Sequence, residues 1–240
     1  MEIGKILYPH VSVDCVLLGF SENKFKVLLT HIDDREIEKT RKLPGSLIYK
    51  NEDLDEAAQR ILTESTGVKK VALKQFKCFG SPKRTENEKD VKWLEKTTDV
   101  KADRIITVAY LSLCKLNTRL LALEKNQTVS WCSIDELPNL PFDHEQIVVE
   151  AIREVRNWVD QDNSIVFEFL PAKFTALDLR RVYEAIYNKV YDVRNFKKKM
   201  KSLEYIVPLE EKQQNVAHRA AQYFRFDRVK YNKLHSSLNY

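Results

Sequence analysis

The chain has 240 residues, 43% of them hydrophobic and 31% charged, with only five glycines and seven prolines. That composition belongs to folded globular proteins and argues against long low-complexity or disordered stretches. No apolar run approaches the roughly 18–20 residues of a membrane span, and the segment from Met1 to Pro9 lacks the apolar core of a signal peptide. The net charge of +5 is uneven: residues 1–160 carry 25 basic and 26 acidic side chains, residues 161–240 carry 15 and 9. A near-neutral body followed by a basic segment is the pattern of a nucleic-acid-binding appendage, and equally of a solvated basic surface. Cys15, Cys78, Cys114 and Cys132 are far apart and form no CxxC pair. They read as free thiols in a reducing, cytoplasmic setting, with neither disulfide nor zinc site.

In chain order, residues 11–20 and 25–32 are apolar runs separated by the polar Ser21-Glu22-Asn23-Lys24, the pattern of a β-hairpin. Residues 53–66 place Leu54, Ala57, Ala58, Ile61 and Leu62 at helical spacing, and Gly67 follows as a C-terminal stop. Strands are expected over 71–80, 104–116 and 129–134, and a helix over 142–159. Residues 85–103 are dense in Lys, Glu and Asp around Trp93, and read as a partly helical surface insertion without assignable chemistry. The polar residues 160–164 mark a boundary between a domain over 1–160 and a second over 165–240.

In the second domain, Thr175 and Asp178 form a capping-box start, and Leu177, Leu179, Val182, Tyr183 and Ile186 form an apolar stripe. After a turn over 188–191, Asp192 is a suitable N-cap for a helix over 193–203. Its Phe196, Met200 and Leu203 take core spacing, while Arg194, Asn195, Lys197, Lys198, Lys199 and Lys201 are polar and basic. Two helices joined by a short turn, the second basic, make a helix-turn-helix. Strands over 205–209 and 221–226 then flank a wing containing His218 and Arg219. Lysines suit phosphate neutralisation, Arg194 and Asn195 suit bidentate base contacts, and Arg219 suits a minor groove. A charged helix facing only solvent, or an interface for another protein, fits the same residues.

Two segments, Gly45-Ser46-Leu47-Ile48-Tyr49-Lys50-Asn51-Glu52 and Arg60-Ile61-Leu62-Thr63-Glu64-Ser65-Thr66-Gly67-Val68, resemble a Nudix box. In that family a glycine and a glutamate precede the run Arg-Glu-apolar-x-Glu-Glu-x-Gly-apolar, and the helical glutamates hold Mg²⁺. Aligned on Arg60 and Gly67, Glu52 takes the first glutamate position and Glu64 is retained, but Ile61 and Ser65 replace the other two. Ile61 offers no oxygen to a hard cation, so the box reads as structurally intact and catalytically silent. No metal or other cofactor is expected. Glu52 can pair with Arg60, and Glu56, Arg60 and Glu64 can form a helix-surface ladder.

The co-linear order of the box, Phe79-Gly80-Ser81-Pro82-Lys83-Arg84, Trp131 with Asp135-Glu136-Leu137-Pro138, Phe142-Asp143-His144 and the basic tail resembles the Nudix-related transcriptional regulators. The resemblance implies an α+β protein: a Nudix-like α/β/α sandwich with a mixed sheet, followed by a winged helix. It further implies a homodimer binding operator DNA and a small effector, a sugar or ADP-ribose-like metabolite. Arg84, Asp143, His144, Glu52 and Glu64 are the candidate effector-binding residues. A diverged Nudix hydrolase acting on a nucleoside diphosphate derivative such as ADP-ribose is the alternative, and a pure interaction module a third reading.

Overall fold

The structure is a computed structural model of the chain; it describes residues 6–32, 41–101, 104–214 and 220–236. The chain packs as two compact units, one running to Gly19 and from Phe25 to Glu154, the other taking Phe20–Lys24 and the chain from Val155. The first unit contains β1 (Leu7–Ser21), β2 (Lys24–His31), β3 (Arg41–Lys42), β4 (Gly45–Tyr49), α1 (Leu54–Thr66) and β5 (Lys74–Phe79). There follow α2 (Glu88–Thr98), β6 (Ile106–Cys114), α3 (Thr118–Leu121), β7 (Val129–Ser133) and α4 (His144–Gln161), the last extending past Glu154 into the second unit.

Among the described residues, β1 to β7 form one mixed sheet, ordered β3-β2-β1-β6-β5, with β4 pairing β1 and β7 pairing β2. β1 and β6 run parallel, from Val11 opposite Ile106 to Gly19 opposite Cys114. β1 is buried on both faces because its side chains are apolar on both: Val13, Cys15, Val16, Leu17 and Leu18 are fully buried. Val13, Cys15 and Leu17 share a core with Ala57, Ala58, Ile61 and Leu62 of α1. Alternation along the strand sends Asp14 to the other face, where it meets His144 at the first turn of α4. The sheet thus has a helix on each face.

Local sequence explains the limits of α1. Asp53 accepts from the Asp55 backbone N–H (2.8 Å) and Glu56 accepts from the Asp53 N–H (3.0 Å), closing a capping box. Gly67 ends the helix at φ 74°, a left-handed conformation that favours glycine, and its N–H reaches the Thr63 carbonyl. Several expected bounds shift, among them 11–20 to Leu7–Ser21, 104–116 to Ile106–Cys114, 193–203 to Val193–Lys201 and 205–209 to Ile206–Lys212. β5 begins at Lys74 rather than residue 71, and the helix expected over 142–159 runs from His144 to Gln161. The insertion folds as α2, started by Asn87, whose side chain accepts from the Lys89 and Asp90 N–H groups.

The second unit continues with a 3₁₀ turn (Asn163–Phe169), β8 (Phe174–Thr175), α5 (Ala176–Tyr187), α6 (Val193–Lys201), β9 (Ile206–Lys212), β10 (Gln222–Phe226) and α7 (Arg228–Ser236). β10 lies between β8 and β9, with Phe224 opposite both Phe174 and Pro208. The core is aromatic: Phe167 stacks on Phe226 at 4.0 Å, and Tyr205 packs edge-on to both. Thr175 and Asp178 form the capping box of α5. Leu177, placed in the apolar stripe by spacing, is 50% exposed, because it sits just after the cap and points away from the buried Leu179, Val182 and Ile186. No helix among the described residues is long and apolar enough to cross a membrane.

Candidate functional site

The Nudix-like box is dominated by one ion-pair fork. Arg60 grips Glu52 side-on through one edge of its guanidinium, Nε to Oε2 at 2.8 Å and Nη2 to Oε1. Glu52 also accepts from the Tyr49 backbone N–H at 2.7 Å. Burial would raise the Glu52 carboxyl, but Arg60 and the Tyr49 N–H outweigh it and hold it below the usual carboxylate range. Glu64 lies 59% exposed on the helix surface, 3.2 Å from Arg60. Ile61 is 1% exposed inside the apolar core. Among the described residues no three His, Cys, Asp or Glu side chains converge as a metal site. At the two replaced positions of the box, Ile61 and Ser65 offer no carboxylate to a hard cation such as Mg²⁺.

On the other face of the sheet lies a cavity of about 240 Å³, bordered by Ser12, Asp14, Lys42, Arg84, Trp93 and His144, with Gly45 and Phe142 at its edge. Arg84 sits on a 3₁₀ turn (Pro82–Thr85) whose N-cap is Ser81. Its side chain is 4% exposed, donates to Asp14 Oδ2 at 2.8 Å, and is bonded through Nη1 to Asp143 Oδ1. The Leu43 N–H donates to His144 Nδ1 at 3.2 Å. That bond leaves the imidazole proton on Nε2, which faces Asp14 Oδ1 at 3.4 Å. Burial pushes the imidazole below its ordinary value against the pull of Asp14. Burial would raise Asp14, but His144 and Arg84 outweigh it and hold the carboxyl well below the usual range. Burial and the like charge of Asp14 push Asp143 up against the pull of Arg84.

Gly45 makes room for this cluster. It lies opposite Asp14 in the β1–β4 register, and a Cβ there would stand 1.9 Å from Asp14 Oδ1. Lys42 donates to the Gly45 carbonyl at 2.5 Å and lies 5.7 Å from the Trp93 ring. Burial lowers its ammonium against the pull of Asp14. Trp93, Leu94, Thr97 and Thr98 bring α2 to the cavity wall, and Asp90 of α2 accepts from the Phe142 N–H at 2.9 Å.

Of the residues expected at an effector site, Arg84 and His144 border this cavity and Asp143 is one bond away through Arg84. Glu52 and Glu64 are not among its lining. Arg60 draws Glu52 to the box, and Glu64 projects from the outer helix surface. From the insertion, Trp93, Leu94, Thr97 and Thr98 line the cavity. Asp14, Ser12 and Lys42 were missed, although a lone carboxylate inside the apolar run 11–20 is a readable signal.

In the second unit, Asp192 accepts from the Asn195 N–H at 2.9 Å and starts α6. Arg194, Asn195, Lys197, Lys198, Lys199 and Lys201 are exposed along α6, while Met200 is buried. His218 and Arg219 lie outside the described residues.

Residues 8–155 match the NUDIX domain, and residues 166–226 match the NrtR DNA-binding winged helix domain. The ADPR responsive transcriptional repressor NtrR of Acinetobacter baylyi is 23% identical over 223 residues, 91% of this chain and 82% of that protein. An ADP-ribose pyrophosphatase of Methanocaldococcus jannaschii is 24% identical over 147 residues, 61% of this chain and 75% of that enzyme. The fold matches Shewanella oneidensis NrtR, crystallised with a 27mer DNA, at TM-score 0.67 and 20% identity, over 92% of this chain and 95% of that one. The chain therefore belongs to the Nudix family and carries a C-terminal NrtR-type DNA-binding winged helix domain.

Proposed function

We propose that this chain is an effector-responsive transcriptional regulator. In this reading residues 165–240 bind operator DNA, and residues 1–160 form a Nudix-like domain that senses a sugar or nucleotide-sugar metabolite without hydrolysing it. The observation that carries the reading is α6: five exposed cations, Arg194, Lys197, Lys198, Lys199 and Lys201, on the second helix of an NrtR-type winged helix. Lysines there neutralise phosphates, and Arg194 and Asn195 near the helix start read base edges. His218 and Arg219 are assigned to the same DNA contact.

Arg84, Asp143 and His144 are assigned to the effector site. The A. baylyi relative is described as ADPR responsive, so ADP-ribose is a natural first compound to test. Absence of hydrolysis is supported by the core position of Ile61, by Ser65, and by the engagement of Glu52 with Arg60. Two half-sites on DNA call for two winged helices, hence a homodimer acting in the cytoplasm. An effector changes operator affinity to the extent that it binds the DNA-competent arrangement differently from the alternative. Fluorescence anisotropy of the full chain on DNA from its own upstream region, with and without effector, tests the proposal. Salt-insensitive or absent DNA binding refutes it, and robust Mg²⁺-dependent cleavage of ADP-ribose refutes the silent box.

A further inference from the structure

We infer that the cleft between α5 and α6 is a second ligand site, for a small aromatic acid, and that such an acid competes with DNA for α6. The competition rests on the reading of α6 as the DNA-binding helix; the site itself does not. A cavity of about 540 Å³ lies wholly within the second unit, in the size range of pockets that hold small organic molecules, roughly 300–1,000 Å³. Its walls are rings. Tyr183 of α5 lies edge-on to Tyr191 of the connecting turn and to Phe196 of α6, with centroids 6.4 and 5.8 Å apart. Rings set at these angles offer both faces and edges, the two surfaces against which a further aromatic ring packs.

The hydroxyls define the polar end of the ligand. Tyr187 and Tyr231 donate to Asp160 and Asp162 at 2.5 and 2.6 Å. Tyr183 and Tyr205 both line the cavity, and among the described residues neither hydroxyl has a hydrogen-bond partner. Burial pushes both phenols up, so each is a neutral donor at physiological pH. Tyr205 is only 8% exposed, which leaves it little access to bulk water. An oxygen acceptor held in the cavity supplies the missing partner.

Charge fixes the acceptor. Three ionised side chains border the cavity, Lys189, Asp192 and Lys199. Asp192 is engaged as the N-cap of α6, accepting from the Asn195 N–H, and Lys189 lies 5.7 Å from the Tyr191 ring. Two cations against one carboxylate leave a surplus of one positive charge, which suits a monoanion such as a carboxylate. An aliphatic acid forgoes the ring contacts, and a neutral arene forgoes the charge. Lys199 also belongs to the basic residues of α6 assigned to DNA. An acid that engages it removes one phosphate contact, and by linkage DNA weakens the acid by the same factor.

Calorimetric titration of the full chain with benzoate, salicylate, phenylacetate and cinnamate, with acetate and benzyl alcohol as controls, tests this. At least one aromatic acid is expected to bind saturably, and both controls far more weakly. Tyr183→Phe keeps the ring and removes only the unpartnered hydroxyl, so it weakens that acid by about tenfold without lowering the melting temperature. Tyr205→Phe acts in the same direction. In anisotropy titrations a saturating amount of the acid lowers DNA affinity. Binding of no aromatic acid overturns the inference, as does a control that binds equally well, or an affinity indifferent to both substitutions. Saturable binding that leaves DNA affinity unchanged overturns the competition. Absence of DNA binding with and without acid refutes the regulator reading instead, and leaves the site to be decided by calorimetry.

Discussion

Removing the guanidinium from the buried cluster is the sharpest perturbation the structure offers. Arg84→Met keeps the length and apolar stem of the side chain but leaves Asp14, whose side chain is 4% exposed, and Asp143, at 14%, without their cation. Breaking a buried pair from one side costs about 3–5 kcal/mol, because the remaining charge stays desolvated. For a unit of this size that lowers the first unit's melting temperature by roughly 10 °C. The pH dependence carries the diagnosis. In the native protein the Asp14 carboxyl is held below its unfolded value of about 3.9. Its contribution is therefore present above that value and is lost as pH falls toward the folded one. In the variant the buried carboxyl titrates upward and takes up a proton earlier, which relieves its penalty. The gap between native protein and variant is expected to narrow as pH is lowered from 7 toward about 4.5. Adding Asp14→Asn and Asp143→Asn restores most of the stability, since a carboxamide oxygen at position 14 still accepts from His144 Nε2. Differential scanning calorimetry across pH checks this. A loss under about 1 kcal/mol at pH 7, or a gap that widens on acidification, refutes the buried-cluster argument.

Three further outcomes follow from the same structure. Ile61→Glu, which returns a glutamate to the box, places a carboxylate at a 1% exposed core position. It should cost about 3 kcal/mol or more, and Mg²⁺ should not restore the melting temperature; full rescue by Mg²⁺ would contradict the reading of the box. Lys198→Ala should reduce the slope of log affinity against log salt by about one on every DNA sequence, whereas Asn195→Ala should cost about 1–3 kcal/mol at a single base position. Anisotropy titrations at several salt concentrations separate the two. Among the four thiols, Cys78 is exposed, while burial pushes Cys114 up to about 12 and Cys15 higher still. Ellman titration of the native protein should show Cys78 reacting well ahead of Cys15 and Cys114.

The features legible in the chain alone are local ones. The capping residues Asp53 and Thr175, the stop at Gly67, the doubly buried run of β1 and the basic stripe of α6 depend on neighbours within a few residues. One strand period or one helical turn is enough to reveal them. The replacement of two box glutamates by Ile61 and Ser65 is likewise written in the residues. Which charges meet is settled by packing. Arg84 reaches Asp14 across 70 residues and Asp143 across 59, whereas the Glu52–Arg60 pair is legible within the box. Packing also brings Trp93, Leu94, Thr97 and Thr98 of α2 to the cavity. Pairing of distant side chains depends on sheet order and strand register, set by the whole packed core. A buried carboxylate selects its partner through that geometry, which no window of the chain contains.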